Sequence, residues 1–135
     1  MTPGAHKILV VDDEPYMHRL MQYHFQRAGY EIVRAFSGRE ALEKAASESP
    51  HLIIMDVMMA EMDGLAALKN LKELEATRNI PVIMLTASAH ALTREESVAY
   101  GATGFVTKPF SPTQLLMEIK RLLPAPAVSR EPLPQ

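Results

Sequence analysis

The chain lacks cysteine altogether. Disulfides, thiolate metal centres and cysteine nucleophiles are therefore excluded, and the absence fits a reducing compartment. Long apolar runs are missing too: none approaches the roughly 18 residues that a membrane helix needs. Met1-Thr2-Pro3-Gly4-Ala5-His6-Lys7 carries no apolar stretch ahead of the first strand and does not read as a secretory signal, so the expectation is a cytoplasmic protein with no membrane contact. Charge of one sign is also scarce. Lysine and arginine number 14 against 16 acids, for a net charge of -2, which argues against direct nucleic-acid binding. No G-x-G-x-x-G follows the first apolar run and no G-x-x-x-x-G-K-[ST] occurs, which argues against dinucleotide and P-loop folds. The five histidines, His6, His18, His24, His51 and His90, show no metal-ligand spacing and read as capping or surface residues.

What is present is a regular alternation. Its organising stretch is Leu52-Ile53-Ile54-Met55, a short apolar run that leads straight into Asp56 and reads as a strand buried on both faces. Comparable runs are Lys7–Val11, Glu31–Ala35, Pro81–Leu85 and Gly104–Thr107. Helical spacing of apolar residues follows each strand. The first helix presents Met17, Leu20, Met21, His24, Phe25 and Ala28, with Asp13 as its expected N-cap and Gly29 as its stop. Ser37-Gly38-Arg39-Glu40, Thr93-Arg94-Glu95-Glu96 and Ser111-Pro112-Thr113-Gln114 read as capping boxes. Asp63 is expected to cap the third helix, whose core face is Leu65, Leu68, Leu71 and Leu74. The fourth helix is the weakest, with only Leu92, Val98 and Ala99 clearly apolar, and is expected to be comparatively mobile. The fifth buries Leu115, Leu116, Ile119, Leu122 and Leu123. The expected organisation is an N-terminal extension over residues 1–6, one domain over 7–123, and a Pro-rich flexible tail or linker over 124–135.

Five strands alternating with five helices predict a doubly wound α/β fold with a parallel sheet. The carboxyl ends of its strands then lie along one edge, where such sheets bind ligands. That edge collects Asp12 and Asp13, Asp56, Thr86 and Lys108. Singly, each has an ordinary explanation as a cap, a buried hydroxyl or a surface charge. Jointly, three carboxylates repel one another and call for a positive charge among them. Lys108 supplies one, and Mg²⁺, a hard cation that takes oxygen ligands, would supply more. A carboxylate beside a lysine and a metal can attack phosphorus, and the Thr86 hydroxyl can bond a phosphoryl oxygen.

At these residues the chain resembles response-regulator receiver domains of the CheY-like family. The resemblance rests on Val11-Asp12-Asp13-Glu14, Met55-Asp56-Val57-Met58-Met59 with Met62-Asp63-Gly64, Leu85-Thr86-Ala87, and Val106-Thr107-Lys108-Pro109-Phe110, and it covers about residues 6–123. It implies a flavodoxin-like five-stranded sheet of order 2-1-3-4-5. It implies that Asp56 accepts a phosphoryl group from a histidine kinase or phosphotransfer protein. Asp12, Asp13, Asp56 and the Met58 backbone carbonyl would hold Mg²⁺, and Lys108 would pair with the phosphoryl group. Thr86 would swing toward that group and Phe105 would follow, with small Ala87 leaving access. The Lys108–Pro109 bond would be cis, fixing the lysine's direction. Output would pass through the face of the fourth helix, fifth strand and fifth helix, to an effector or a second copy. Ala60 stands where the family usually has proline. Ser88, two places after Thr86, offers no acid or amide to orient water, which predicts slow self-dephosphorylation. Phe105 has no hydroxyl, so an aromatic switch here would work by packing.

Three rivals differ in class. A haloacid-dehalogenase-type phosphatase needs a second Asp two places after its nucleophile; Asp12 is followed by Asp13 and Glu14. A flavodoxin-like flavin carrier needs a phosphate-cradling loop after the first strand, and none is present. An interaction domain with an unused acid pocket is the third. With no effector domain expected after residue 123, the chain reads as a stand-alone receiver or one cut within its linker.

Overall fold

The structure, a computed structural model, describes residues 6–59, 64–86 and 91–123, with side chains from residue 95 onward in the last segment. Its elements are β1 (Lys7–Val11), α1 (Pro15–Arg27), β2 (Glu31–Ala35), α2 (Gly38–Glu48), β3 (Leu52–Asp56), α3 (Gly64–Glu73), β4 (Val82–Thr86), α4 (Ala91–Ala99), β5 (Gly104–Thr107) and α5 (Pro112–Leu122). The strands form one parallel sheet in the order β2-β1-β3-β4-β5. This is the predicted order, with the three most apolar strands at the centre.

Side chains alternate across a strand, so each central strand feeds two cores. Ile8, Val10, Leu52, Ile54, Ile83 and Leu85 face α1 and α5, where they meet Met21, Phe25, Leu115 and Ile119. Leu9, Val11, Ile53, Met55, Val82 and Met84 face the other way, onto Ala41, Ala45, Ala67, Leu68 and Leu71 of α2 and α3. Burial on both faces explains why β3 and β4 are buried along their whole length. Ser37 and Ser111 cap their helices as expected: Ser37 Oγ accepts from Glu40 N–H at 3.1 Å and Ser111 Oγ accepts from Gln114 N–H at 3.0 Å, while Glu40 Oε1 turns to the Phe36 N–H at 2.7 Å.

Several local expectations are corrected. Asp13 does not cap α1; Glu14 holds that position without a side-chain bond, because Pro15 is already at the first helical position. Thr93–Glu96 is no capping box, since α4 begins at Ala91 and those residues lie inside it. Nor do Val98 and Ala99 form a core face: both are exposed, Val98 at 62%, and among the described side chains of α4 the buried one is Ser97; Leu92 lies outside the described side chains. β3 runs one residue further, to Asp56, and β4 spans Val82–Thr86, so Asp56 and Thr86 sit within the sheet ladder instead of after it. Leu74 lies beyond the end of α3 and is half exposed. The proposed Asp63 cap, the Ala60 position, Ala87, Ser88 and the Pro-rich tail fall outside the described residues. Among those described, no helix is long and apolar enough to cross a membrane.

Candidate functional site: an acid pocket at the carboxyl edge of the sheet

The ends of β1 and β3 are adjacent because the two strands pair in register, Val11 opposite Met55. Asp12 and Asp56 therefore leave neighbouring strands side by side. One carboxylate oxygen each from Asp12, Asp13 and Asp56 lies within 4.8 Å of the others. Among the described residues this is the only group of three or more acids or histidines placed to hold a metal ion. Asp12 and Asp56 are buried and Asp13 is exposed, so the cluster opens to solvent on one side.

Lys108 reaches in from the end of β5. Its N–H donates to the Thr86 carbonyl at 2.6 Å, its peptide bond to Pro109 is cis, and its Nζ donates to Asp56 Oδ2 at 3.1 Å. The same ammonium stands 3.9 Å from Asp12 Oδ2. Thr86 is buried at the end of β4, next to β3. Asp56 Oδ1 accepts the N–H of Met58 at 3.2 Å, which ties the following loop to the acid, while the Met58 side chain is largely exposed. Gly64 brings the start of α3 against this loop: its N–H donates to the Val57 carbonyl at 2.8 Å, and a Cβ there would collide with the Asp56 carbonyl.

The electrostatics favour an added cation. Burial pushes the Asp12 carboxyl up from 3.8 to about 6, helped by the like charges of Asp56 and Asp13; its bond from Glu14 N–H (2.8 Å) and the Lys108 ammonium pull the other way. Asp12 Oδ2 is buried and accepts no hydrogen bond among the described residues. An ionised oxygen without a donor is costly, and a hard divalent cation bound by carboxylate oxygens would satisfy it. The donor set, all oxygen and open on one side, fits Mg²⁺ by its chemistry.

Sequence patterns missed one residue and one contact here. His18, expected at the surface, is 1% exposed, and its Nε2 bonds the Asp12 carbonyl at 2.7 Å. Burial holds its pKa below the usual 6.5. A histidine six residues after an acid is a weak signal, and only the turn into α1 brings the two together. Gly64 was visible as part of a motif, but the contact that requires glycine was not. Of the expected residues, Asp12, Asp13, Asp56 and Lys108 meet, with the Met58 N–H on Asp56 and the Thr86 carbonyl on the Lys108 N–H. Phe105 is partly buried against the α2–α3 core, opposite Met84 and so on the sheet face that Thr86 shares. Pro109 is exposed, beside the lysine.

A doubly wound parallel sheet with three acids and a lysine at its carboxyl edge defines a class of α/β domain that binds its ligands at that edge. Comparison with known proteins narrows this class. The family model for the response regulator receiver domain matches residues 8–120. The chain is 40% identical over 117 residues to the alkaline phosphatase synthesis transcriptional regulatory protein PhoP of Bacillus subtilis, covering 87% of this chain and 48% of that protein. It is 38% identical over 119 residues to the transcriptional regulatory protein SrrA of Staphylococcus aureus, covering 88% of this chain and 48% of SrrA. The chain thus spans about half the length of the curated relatives it matches. Among solved structures, the chemotaxis protein CheY4 of Vibrio cholerae superposes with a TM-score of 0.84 at 37% identity, covering 88% of this chain and 99% of that one. The receiver domain of a histidine kinase from Syntrophus aciditrophicus follows at 0.81 and 38%, covering 88% and 90%.

The chain belongs to the response-regulator receiver family. Receiver domains act in two-component signalling, signal with histidine kinases, take a phosphoryl group on an aspartate, and generally bind Mg²⁺ at an acidic pocket.

Proposed function

We propose that Asp56 is the phosphoryl acceptor of this receiver, with residues 7–123 as the working unit. The observation that carries the reading is the Lys108–Asp56 ion pair at 3.1 Å, inside a cluster of three carboxylates whose Asp12 Oδ2 has no hydrogen-bond donor among the described residues. An Asp56 carboxylate oxygen attacks the phosphorus of a phosphohistidine on a kinase or phosphotransfer protein. The P–N bond breaks, its electron pair and a proton stay with the imidazole, and an acyl phosphate forms. Lys108 stabilises charge on the transferring group, and the Thr86 hydroxyl bonds it afterwards. Asp12, Asp13, Asp56 and the Met58 carbonyl would hold Mg²⁺. When bound, that ion neutralises phosphoryl oxygens.

The switch runs from Thr86 to Phe105 on the neighbouring strand, with Ala87 and Pro109 shaping access and the direction of Lys108. Phe105 lines a cavity of about 240 Å³ with Val98, Ala102, Thr103, Glu118 and Arg121, which supports output through the α4–β5–α5 face to an effector or a second copy. The chain's chemistry is confined to its own phosphorylation and slow dephosphorylation, in the cytoplasm, without direct contact to nucleic acid or membrane. PhoP and SrrA are transcriptional regulatory proteins, and the match covers 48% of each.

Intact mass after incubation with acetyl phosphate tests the reading. A gain of one phosphoryl group is expected, dependent on Mg²⁺ and lost in Asp56→Asn. A gain that survives Asp56→Asn would identify a different nucleophile. An acyl phosphate that decays within seconds would contradict slow self-dephosphorylation.

A further inference from the structure

A buried histidine on a packed helix is an expensive choice unless both ring nitrogens are used. In α1, Met21 and Phe25 fill the core with apolar side chains, yet His18 is as buried as they are. Its Nδ1 is buried without a well-aligned hydrogen bond among the described residues, and the Ala35 backbone also lies close to the ring. Its other nitrogen makes a short bond to a carbonyl oxygen, Nε2 to Asp12 O at 2.7 Å. A carbonyl only accepts, so Nε2 carries the proton.

That bond completes a clamp on one residue. Asp12 N–H donates to the Ala35 carbonyl at 3.1 Å, its carbonyl accepts from His18, and its Oδ1 accepts from Glu14 N–H at 2.8 Å. With the main chain held on both sides and one carboxylate oxygen fixed, the remaining oxygen, Oδ2, is aimed into the acid pocket beside Lys108. The imidazole is held in turn. The Phe36 ring lies over it, centroids 4.1 Å apart at 39°. Phe36 N–H donates to Glu40 Oε1 at 2.7 Å, and Glu40 N–H donates to Ser37 Oγ. The cap of α2 thereby fixes the cover of the ring that fixes Asp12.

We propose that His18 is a positioning residue of the acid pocket, holding Asp12 through its main-chain carbonyl in the pose that binds a divalent cation. The inference rests on the reading of Asp12 as a metal ligand. It also explains the position's chemistry: a leucine or methionine would fill the space but leave the Asp12 carbonyl without its donor. Outer partners that orient metal ligands typically matter by 10-fold to 100-fold in affinity, and the effect here is expected at about the lower end.

The test is Mg²⁺ titration by calorimetry of the full chain and its variants, with thermal melts of the same samples. His18→Leu is expected to weaken Mg²⁺ binding about tenfold or more. His18→Gln, whose amide N–H can stand where Nε2 stands, is expected to recover most of the affinity. A role in packing alone would lower Tm in His18→Leu while the folded protein bound Mg²⁺ as the wild type does, and that result overturns the proposal. Equal weakening in both variants also overturns it, since the bond would then not be the operative feature. Asp12→Asn separates the two levels: if it keeps wild-type affinity, the metal-site reading fails and takes this one with it. If Asp12→Asn loses binding and His18→Leu does not, only the role of His18 is lost. Should His18→Leu not fold, nitrogen-15 NMR of the wild-type imidazole decides; the Nδ1–H tautomer overturns the proposal and the Nε2–H tautomer supports it.

Discussion

Asp12→Asn should stabilise the metal-free protein, although it removes a residue of the functional pocket. The magnitude follows from the carboxyl's position. A pKa moved from 3.8 to about 6 means that ionised Asp12 is disfavoured in the fold by about 3 kcal/mol relative to the unfolded chain. Asparagine keeps the Oδ1 acceptor for Glu14 N–H and removes a charge from between Asp56 and Asp13. The folded form holds more protons than the unfolded one between pH 3.8 and about 6, so the Asp12 penalty is absent below that window and complete above it. In EDTA at pH 7.5 the variant should therefore melt higher, by roughly 10 °C if the full penalty is relieved in a domain of this size. At pH 5 the advantage should shrink to about half. The comparison must be made between variants. His18 and His51 are held below 6.5 by burial, so their stabilising contributions are lost as pH falls below that value, and they oppose the Asp12 trend in the wild type. Saturating Mg²⁺ should close the gap, because it stabilises the wild type by mass action, about 2.7 kcal/mol at a hundred times Kd, and not the variant. Chemical denaturation over pH, with EDTA or Mg²⁺, is the assay. A variant less stable than wild type in EDTA at pH 7.5, or an advantage independent of pH, would refute the reasoning.

Other perturbations follow from single contacts. Gly64→Ala should cost 2 kcal/mol or more, on the order expected for overpacking, because its Cβ would strike the Asp56 backbone; it should also slow phosphorylation, as read by mass after acetyl phosphate. Ser97→Ala should raise stability by about 1 kcal/mol, since the buried Ser97 hydroxyl has no partner among the described residues; urea denaturation would show it. Ser111→Ala should lose about 1 kcal/mol through the α5 cap, with the Mg²⁺ affinity unchanged. Lys108→Ala should leave Mg²⁺ binding intact or tighter, by removing a competing cation, while the rate of phosphorylation falls at least tenfold, the scale of losing one electrostatic contact to a transferring group.

Local patterns carried most of the fold. Apolar runs of four or five residues marked the three central strands, because a strand buried on both faces must be apolar throughout; the edge strands β2 and β5, only partly buried, were marked by short β-branched stretches between turns. The serine caps at Ser37 and Ser111 were legible for a similar reason: hydroxyl and accepted N–H lie three residues apart. The Thr93 box failed because the same four letters also fit a helix interior, and only the start of α4 at Ala91 distinguishes the two.

The candidate site was legible to the extent that topology is simple. A parallel sheet sends the carboxyl ends of its strands to one edge, so naming the residues at those ends was enough to bring Asp12, Asp13, Asp56 and Lys108 together. What the sequence alone determined is this inventory: which groups meet, and that their charges call for a cation. Tertiary structure decided how they meet. The register that sets Val11 opposite Met55, the burial that raises the Asp12 carboxyl, the collision that forbids a side chain at Gly64, and the turn that brings His18 beneath Asp12 are distances across separate elements. Periodicity reports which face of an element is apolar. It carries no information about which atom on the next element that face will touch, and polar contacts such as His18 to Asp12 depend on that atom alone.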